Sequence, residues 1–223
     1  MLSCANDFPV LLHCNTSLID SNFDPDPLVE LVRQTNPPSL SLHLSLPDTH
    51  LYKLWLRAGI PFPLIRRPVA FKRAIQNLAT LHARLPQTPI LIENQAHHRR
   101  SGHDYLADPP FITQILNAAN VGLLLDIGHA RVSAAMRRQT PETYIEQLPV
   151  NDVMEIHISG PAFYRGRLRD LHQPLSAVDY DLLQFTIPRC PNLHVITLEF
   201  FGPAKQLTHQ LSKLRAIVDS YSA

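Results

Sequence analysis

Short apolar runs alternate with segments of helical period along most of this chain. The runs are Val10-Leu11-Leu12-His13, Leu40-Ser41-Leu42-His43, Ile90-Leu91-Ile92-Glu93, Gly122-Leu123-Leu124-Leu125-Asp126, Met154-Glu155-Ile156-His157 and Ile196-Thr197-Leu198-Glu199. Such Val-, Ile- and Leu-rich runs fit strands buried on both faces. Between them, Leu28 to Thr35, Ala70 to Leu85, Pro110 to Ala119, Tyr144 to Leu148, Asp179 to Phe185 and Gln206 to Tyr221 carry apolar residues at helical spacing. Asp26-Pro27 and Thr140-Pro141 supply starts for two of these helices.

This order predicts one α/β domain over residues 1–223 with a parallel sheet. Polar run ends recur after 30 residues (13 to 43), 33 (93 to 126) and 31 (126 to 157). One βα unit takes about 30 residues. The longer gaps, 43 to 93 and 157 to 199, call for an extra loop or a weak strand such as Pro63 to Arg67. The architecture expected is a (β/α) barrel of TIM type with six clear strands, two short of the usual eight.

Composition narrows the partners. The chain has 223 residues, short of the roughly 250 of a full barrel. Net charge is +1, from 20 basic and 19 acidic residues, with no basic tract, which argues against nucleic acid as a partner. Three cysteines without paired spacing fit a cytoplasmic protein with free thiols. Neither a signal-peptide pattern nor an apolar run of about 18 residues is present, so no membrane span is expected. Twenty prolines against seven glycines mark stiff connections.

All six runs end on a side chain that can bind a metal, and parallel barrels do their chemistry at the carboxyl ends of their strands. His13, His43, Glu93, Asp126, His157 and Glu199 therefore form a candidate polynuclear site. Glu93 has two oxygens with which to bridge metals. Asp126 is followed by His129, expected in a loop, and an Asp that close can equally be a helix cap. Glu155 projects to the same side as His157 and can orient it from behind. Asp170 and His172 lie in what reads as a long loop after His157, rich in Arg165, Arg167 and Arg169. Glu93, Asp126 and His157 are the residues expected to carry the chemistry. His97, His98 and His103, with Arg99 and Arg100, read as a solvent-facing polar loop. His50, His82, His194 and His209 have no constellation.

The succession Ile92-Glu93-Asn94, Leu124 to Ala134 (LLDIGHARVSA), Tyr144 to Pro149, Val153 to Gly160 and Asp170-Leu171-His172 resembles the multinuclear non-haem iron oxidative enzymes of the MbnB/TglH type. These are xylose-isomerase-like barrels. The resemblance runs from about residue 8 onward and places ligands at His13, His43, Glu93, Asp126, His157, Asp170, His172 and Glu199. His129 stands where that family has Asn, and Asp-Ile-Gly-His also occurs among sugar isomerases and endonucleases of the superfamily. His13 aligns with the family's third strand, which implies a barrel lacking two N-terminal strands.

The resemblance implies two or three iron ions and oxygen-dependent oxidation of a cysteine-containing peptide, delivered with a partner protein. Mixed His and carboxylate ligation suits iron, with manganese or zinc as alternatives. The rival readings are a sugar isomerase or epimerase, an endonuclease-type hydrolase using a divalent metal, and a degenerate barrel that only binds. A barrel short of strands has open edges, so a homodimer through the gap, or cover by the N-terminal residues and the last helix, is expected.

Overall fold

The structure, a computed structural model, describes residues 10–47, 64–97 and 102–221. Expectations that rest on the first nine residues, on His50, on Pro63 or on His98-Arg99-Arg100 lie outside these residues. The chain falls into two compact units. The first runs up to Glu93 and takes in 102–122. The second takes in 94–97 and everything from Leu123 on.

In the first unit, β1 (Leu12–Ser17), β2 (Leu40–His43) and β3 (Ile90–Glu93) form a parallel ladder in that order. Helix α1 (Asp26–Thr35) connects β1 to β2, and α2 (Arg67–Arg84) precedes β3. Helix α1 starts on an acidic residue and a proline and ends on Asn36, whose φ of 43° is the left-handed stop that Asn tolerates. Helix α2 buries Ala70, Ala74, Leu78 and Leu81, one stripe at helical spacing. Leu40, Ser41 and Leu42 of β2 are all buried, as in a strand covered on both faces. Asn77 of α2 donates to Leu18 O and Asp20 O at 2.9 and 3.0 Å, which ties down the turn after β1. Helix α3 (Pro109–Ala119) closes the unit, with Phe111 buried edge-on to Tyr105.

In the second unit, β4 (Gly122–Asp126), β5 (Val153–Ile158) and β8 (Val195–Leu198) run parallel, with β5 in the middle. Helix α4 (Ile127–Arg137) follows β4 directly, and α5 (Pro141–Gln147) opens with Thr140 accepting from Thr143 N, as the sequence predicts. The strands β6 (Gly160–Tyr164) and β7 (Arg167–Gln173) pair antiparallel. Helices α6 (Ala177–Thr186) and α7 (Ala204–Tyr221) complete it.

Several expectations are corrected. His13 does not end its strand, because β1 continues to Ser17, and His157 is followed in β5 by Ile158. Arg67 belongs to α2, which starts three residues earlier than its apolar stripe, because Pro68 suits a first turn. His129 lies in the first turn of α4, not in a loop. Asp170 and His172 lie on a hairpin strand, because Tyr164 to Arg167 makes a tight turn with Gly166 at φ 73°. His103 is not solvent-facing. It is buried and accepts from Ile65 N at 3.0 Å.

One buried ion pair fastens α4 to α6. Asp179 is 1% exposed and accepts from Ser176 N and Oγ through Oδ2, while Oδ1 accepts from Arg131. Removing one partner strands a buried charge, at a cost of about 3–5 kcal/mol. Asp179→Ala is expected to destabilise the protein by about that amount in urea unfolding, with Asp179→Asn, which keeps part of the cap, costing less.

Candidate metal centre

Each unit carries a cluster of metal-capable side chains at the carboxyl ends of its own strands. In the first unit, His43 and Glu93 are register partners across β2 and β3. His13 pairs with Ser41, two residues below His43 on the same side of the ladder. Ser41 Oγ donates to Leu12 O at 3.2 Å and accepts from His13 Nδ1 at 2.8 Å. That fixes the His13 proton on Nδ1 and turns Nε2 upward. His13 Nε2 lies 2.7 Å from His43 Nε2 and 3.8 Å from Glu93 Oε2, and His43 Nε2 lies 3.1 Å from the same oxygen. The three residues each offer a ligand atom within 4.8 Å of the other two. A bulge between Cys14 and Ser17 carries β1 onward past this group.

In the second unit, Asp126 ends β4 and caps α4, its Oδ1 accepting from His129 N at 2.6 Å. Its Oδ2 is buried and accepts no hydrogen bond among the described residues. The nearest charged partner, His129 Nε2, is 4.0 Å away. A buried carboxylate oxygen without a donor is costly, and a cation relieves that cost. His129 Nδ1 donates to Asn94 O at 2.8 Å, which leaves Nε2 toward Asp126 and 3.3 Å from Asp170 Oδ2. His172 Nε2 is 3.5 Å from Asp170 Oδ2 and 3.1 Å from Glu199 Oε2. Glu199 Oε1 lies 3.1 Å from His157 Nδ1, so the two oxygens of one carboxylate serve two imidazoles. His157 Nε2 meets Glu155 Oε1 at 3.0 Å, and that oxygen also accepts from Thr197 Oγ1 at 3.0 Å. Glu155 thus holds His157 from behind and presents Nδ1 to the cluster.

The charges are interlocked. Burial pushes the Asp126 carboxyl up, against the attraction of His129, and Asp170 and Glu199 push it further. Burial disfavours the charged form of His157, but hydrogen bonds to Glu155 and Glu199 outweigh it and lift the imidazole to about 10. His172 is raised by its bond to Glu199 against partial burial. Burial opposes ionisation of Glu199 and Asp170 too. The histidines overcome it and hold both carboxyls below their usual range, with Ser159 Oγ adding a 2.8 Å bond to Asp170. Protons on the imidazoles neutralise the carboxylates, and a metal ion can take their place. The donor set, imidazole nitrogen and carboxylate oxygen with no thiolate, fits iron, manganese or zinc.

All nine predicted ligands therefore fall into these two groups: His13, His43 and Glu93 in one, and Asp126, His129, His157, Asp170, His172 and Glu199 in the other. Glu199 lies just past β8, and its N–H still donates to Ile158 O at 3.0 Å. His172 reaches Glu199 because β7 carries Leu171 and His172 as extra residues between two paired positions, with His172 at φ 49°. Four positioning residues escaped the sequence reading: Ser41, Asn94, Ser159 and Thr197. Asn94 is fully buried and mimics a strand, donating to Asp126 O at 3.0 Å and accepting from Asp126 N at 2.8 Å. Its place beside Glu93 was the only available signal. Gly128 is the one residue that fits its place, because a β-carbon there would run into Ser159 Oγ.

A cleft of about 1020 Å³ lies elsewhere, between β8 and α7, lined by residues such as Val195, Ile196, Leu211 and Leu214. It contains none of the clustered ligands, so its size does not mark the chemistry. No helix among the described residues is long and apolar enough to cross a membrane.

Comparison with known proteins adds an independent line. A family model for the RiPP precursor modification enzymes MbnB/TglH/ChrH matches residues 3–220. A UPF0276 protein of Bordetella pertussis is 30% identical over 166 residues, 71% of this chain and 55% of that protein. One from Caulobacter vibrioides is 32% identical over 164 residues, 69% and 55%. The chain thus spans about half the length of the curated relatives it matches. Two solved structures share the fold. A xylose isomerase domain protein of Salmonella typhimurium has a TM-score of 0.58 at 10% identity, over 93% of this chain and 75% of that one. The 3-keto-D-glucoside 4-epimerase of Escherichia coli has a TM-score of 0.61 at 10% identity, over 98% and 85%. The fold is therefore of the xylose-isomerase-like TIM-barrel class, with six parallel strands among the described residues.

Asn94→Ala removes both side-chain bonds from Asn94 to the end of β4. It is expected to cost about 1–3 kcal/mol in unfolding experiments and to weaken metal binding about 10–100-fold. Metal titration with Asn94→Asp, which keeps the acceptor and loses the donor, should give an intermediate value.

Proposed function

The chain belongs to the family of RiPP precursor modification enzymes MbnB/TglH/ChrH, and from that premise we propose that it is a multinuclear iron enzyme that oxidatively modifies a cysteine-containing peptide. The observation that carries the metal is the buried Asp126 Oδ2, which accepts no hydrogen bond among the described residues yet stands in a cluster of imidazoles and carboxylates. Asp126, His129, Asp170, His172, Glu199 and His157 would hold iron in the second unit, and His13, His43 and Glu93 in the first. Iron bound there would supply the redox chemistry for oxidising a thiol-bearing substrate with dioxygen.

The protein's own groups do the positioning. Glu155 fixes His157, Asn94 fixes both Asp126 and His129, and Ser41 fixes His13, so these four ligands are set before any ion arrives. Glu199 couples two histidines on different elements, which suits a carboxylate shared between ions. The reading takes a peptide as substrate and, on the family resemblance, a second protein that delivers it. It places the protein in the cytoplasm.

Metal content of aerobically and anaerobically purified protein tests the reading. Two or more irons per chain are expected. A single zinc or manganese would favour the isomerase or hydrolase chemistry, and no metal would favour a binding protein. Asp126→Asn and Glu93→Gln should each lower metal occupancy with the circular dichroism spectrum unchanged, and full occupancy in either would remove that residue from the ligand set. His157→Ala, on a central strand, should disturb the second-unit cluster as a whole. His172→Ala, on the hairpin, should cost one ion and spare the rest.

A further inference from the structure

The hairpin that supplies Asp170 and His172 carries far more than two ligands. Tyr164 pairs with Arg167, and Ala162 with Arg169, so Tyr164, Arg167 and Arg169 share one face of the two-stranded ribbon. Arg165 sits in the turn at φ 51°. The guanidinium groups of Arg165 and Arg169 lie 5.3 and 5.4 Å from the Tyr164 ring centroid. Tyr164 itself is 46% exposed. None of the three arginines makes an ion pair among the described residues, although 19 acidic residues are available in a chain of net charge +1. Asp170 spends its charge on the two histidines, on the opposite face.

Three uncompensated arginines beside an exposed tyrosine form a concentrated positive face, and the hairpin's base is built into the metal cluster. We propose that this face of β6–β7 docks an acidic segment of the substrate peptide and so brings a neighbouring residue to the Asp170–His172 end. This rests on the reading of the protein as a peptide-modifying enzyme and names the chemistry of its substrate. Arg167 and Asp170 are three positions apart on one strand and therefore on opposite faces, so a peptide held by Arg167 reaches the Asp170–His172 end by passing round the edge of the ribbon. Arginine suits the task because its fork grips carboxylates in two places and stacks on an aromatic ring. A nucleic acid is the weaker fit, because three arginines in a nearly neutral chain fall short of a phosphate-tracking surface.

The test uses fluorescence anisotropy with three probes: a labelled twelve-residue peptide rich in glutamate, the same peptide with glutamine in place of glutamate, and a single-stranded oligonucleotide of similar length. The wild-type protein should bind the acidic peptide at least tenfold more tightly than the glutamine peptide, and added salt should weaken that binding. The double variant Arg165→Gln/Arg167→Gln should weaken acidic-peptide binding about tenfold, since two surface charge pairs are lost together. Arg165→Lys/Arg167→Lys, which keeps the charge and the fold, should recover part of it. Equal binding of the two peptides, an unaffected Gln variant, or tighter binding of the oligonucleotide would overturn the proposal. Metal content is measured on the same samples. Loss of the metal reading with intact acidic-peptide binding would overturn the iron chemistry alone, and metal-loaded protein that ignores the acidic peptide would overturn the docking face alone.

Discussion

Burial of carboxylates at strand ends is the constraint on which the rest of this structure depends. Glu93 and Asp126 are 1% and 0% exposed, and neither would be tolerated there without cationic partners. In the second unit the answer is a relay of alternating imidazoles and carboxylates, from Asp126 through His129, Asp170, His172 and Glu199 to His157. Each histidine is held by the carboxylates beside it, and each of the partly exposed carboxylates, Asp170 and Glu199, is held ionised by two histidines. Such an arrangement stands ready to exchange protons for metal ions.

The fold is arranged around keeping these groups in place. Helix α4 starts directly after Asp126, so the same carboxylate that faces the cluster also caps the helix and sets where His129 lies. Asn94 acts as a false strand against the end of β4, at a point where the main chain of its own segment has left the ladder. Glycine at 128 lets Ser159 approach α4, and Ser159 in turn holds Asp170. The hairpin is joined to this system by Asp170 and His172, while Tyr164, Arg167 and Arg169 lie on the face opposite Asp170.

Much of this was legible along the chain. Apolar runs of four or five residues, buried on both faces, leave only their last side chain free to do anything but pack, so a polar residue at that position stands out. That rule picked out Glu93, Asp126, His157 and Glu199, and the helical stripes marked six of the seven α-helices of the described residues to within a few residues; α4 read as loop, because its small and polar residues leave only a weak stripe. The alternation of Glu155 and His157 gave their shared side and with it the hydrogen bond between them. The order of the motifs carried the family, which the match over residues 3–220 bears out.

Other features needed the chain to be folded. His13 looked like a strand end and is not, because a bulge extends β1 beyond it, and only the long reach of the imidazole brings it level with His43. Asp170-Leu171-His172 read as loop because charged residues hide the alternation of a solvated hairpin, and a two-residue bulge then turns His172 onto Glu199. Ser41, Ser159 and Thr197 carry no signal of their own, and Asn94 only its place in the Glu93-Asn94 motif, since a buried hydroxyl or amide is defined by the partner that tertiary packing brings to it. Local pattern decides which residues lie at strand ends, because period and burial are properties of neighbouring positions. Which of them meet, and through which atom, is decided by contacts between residues some 30 or more positions apart, such as Asn94 with Asp126 and Thr197 with Glu155, and those exist only once the strands have found their register.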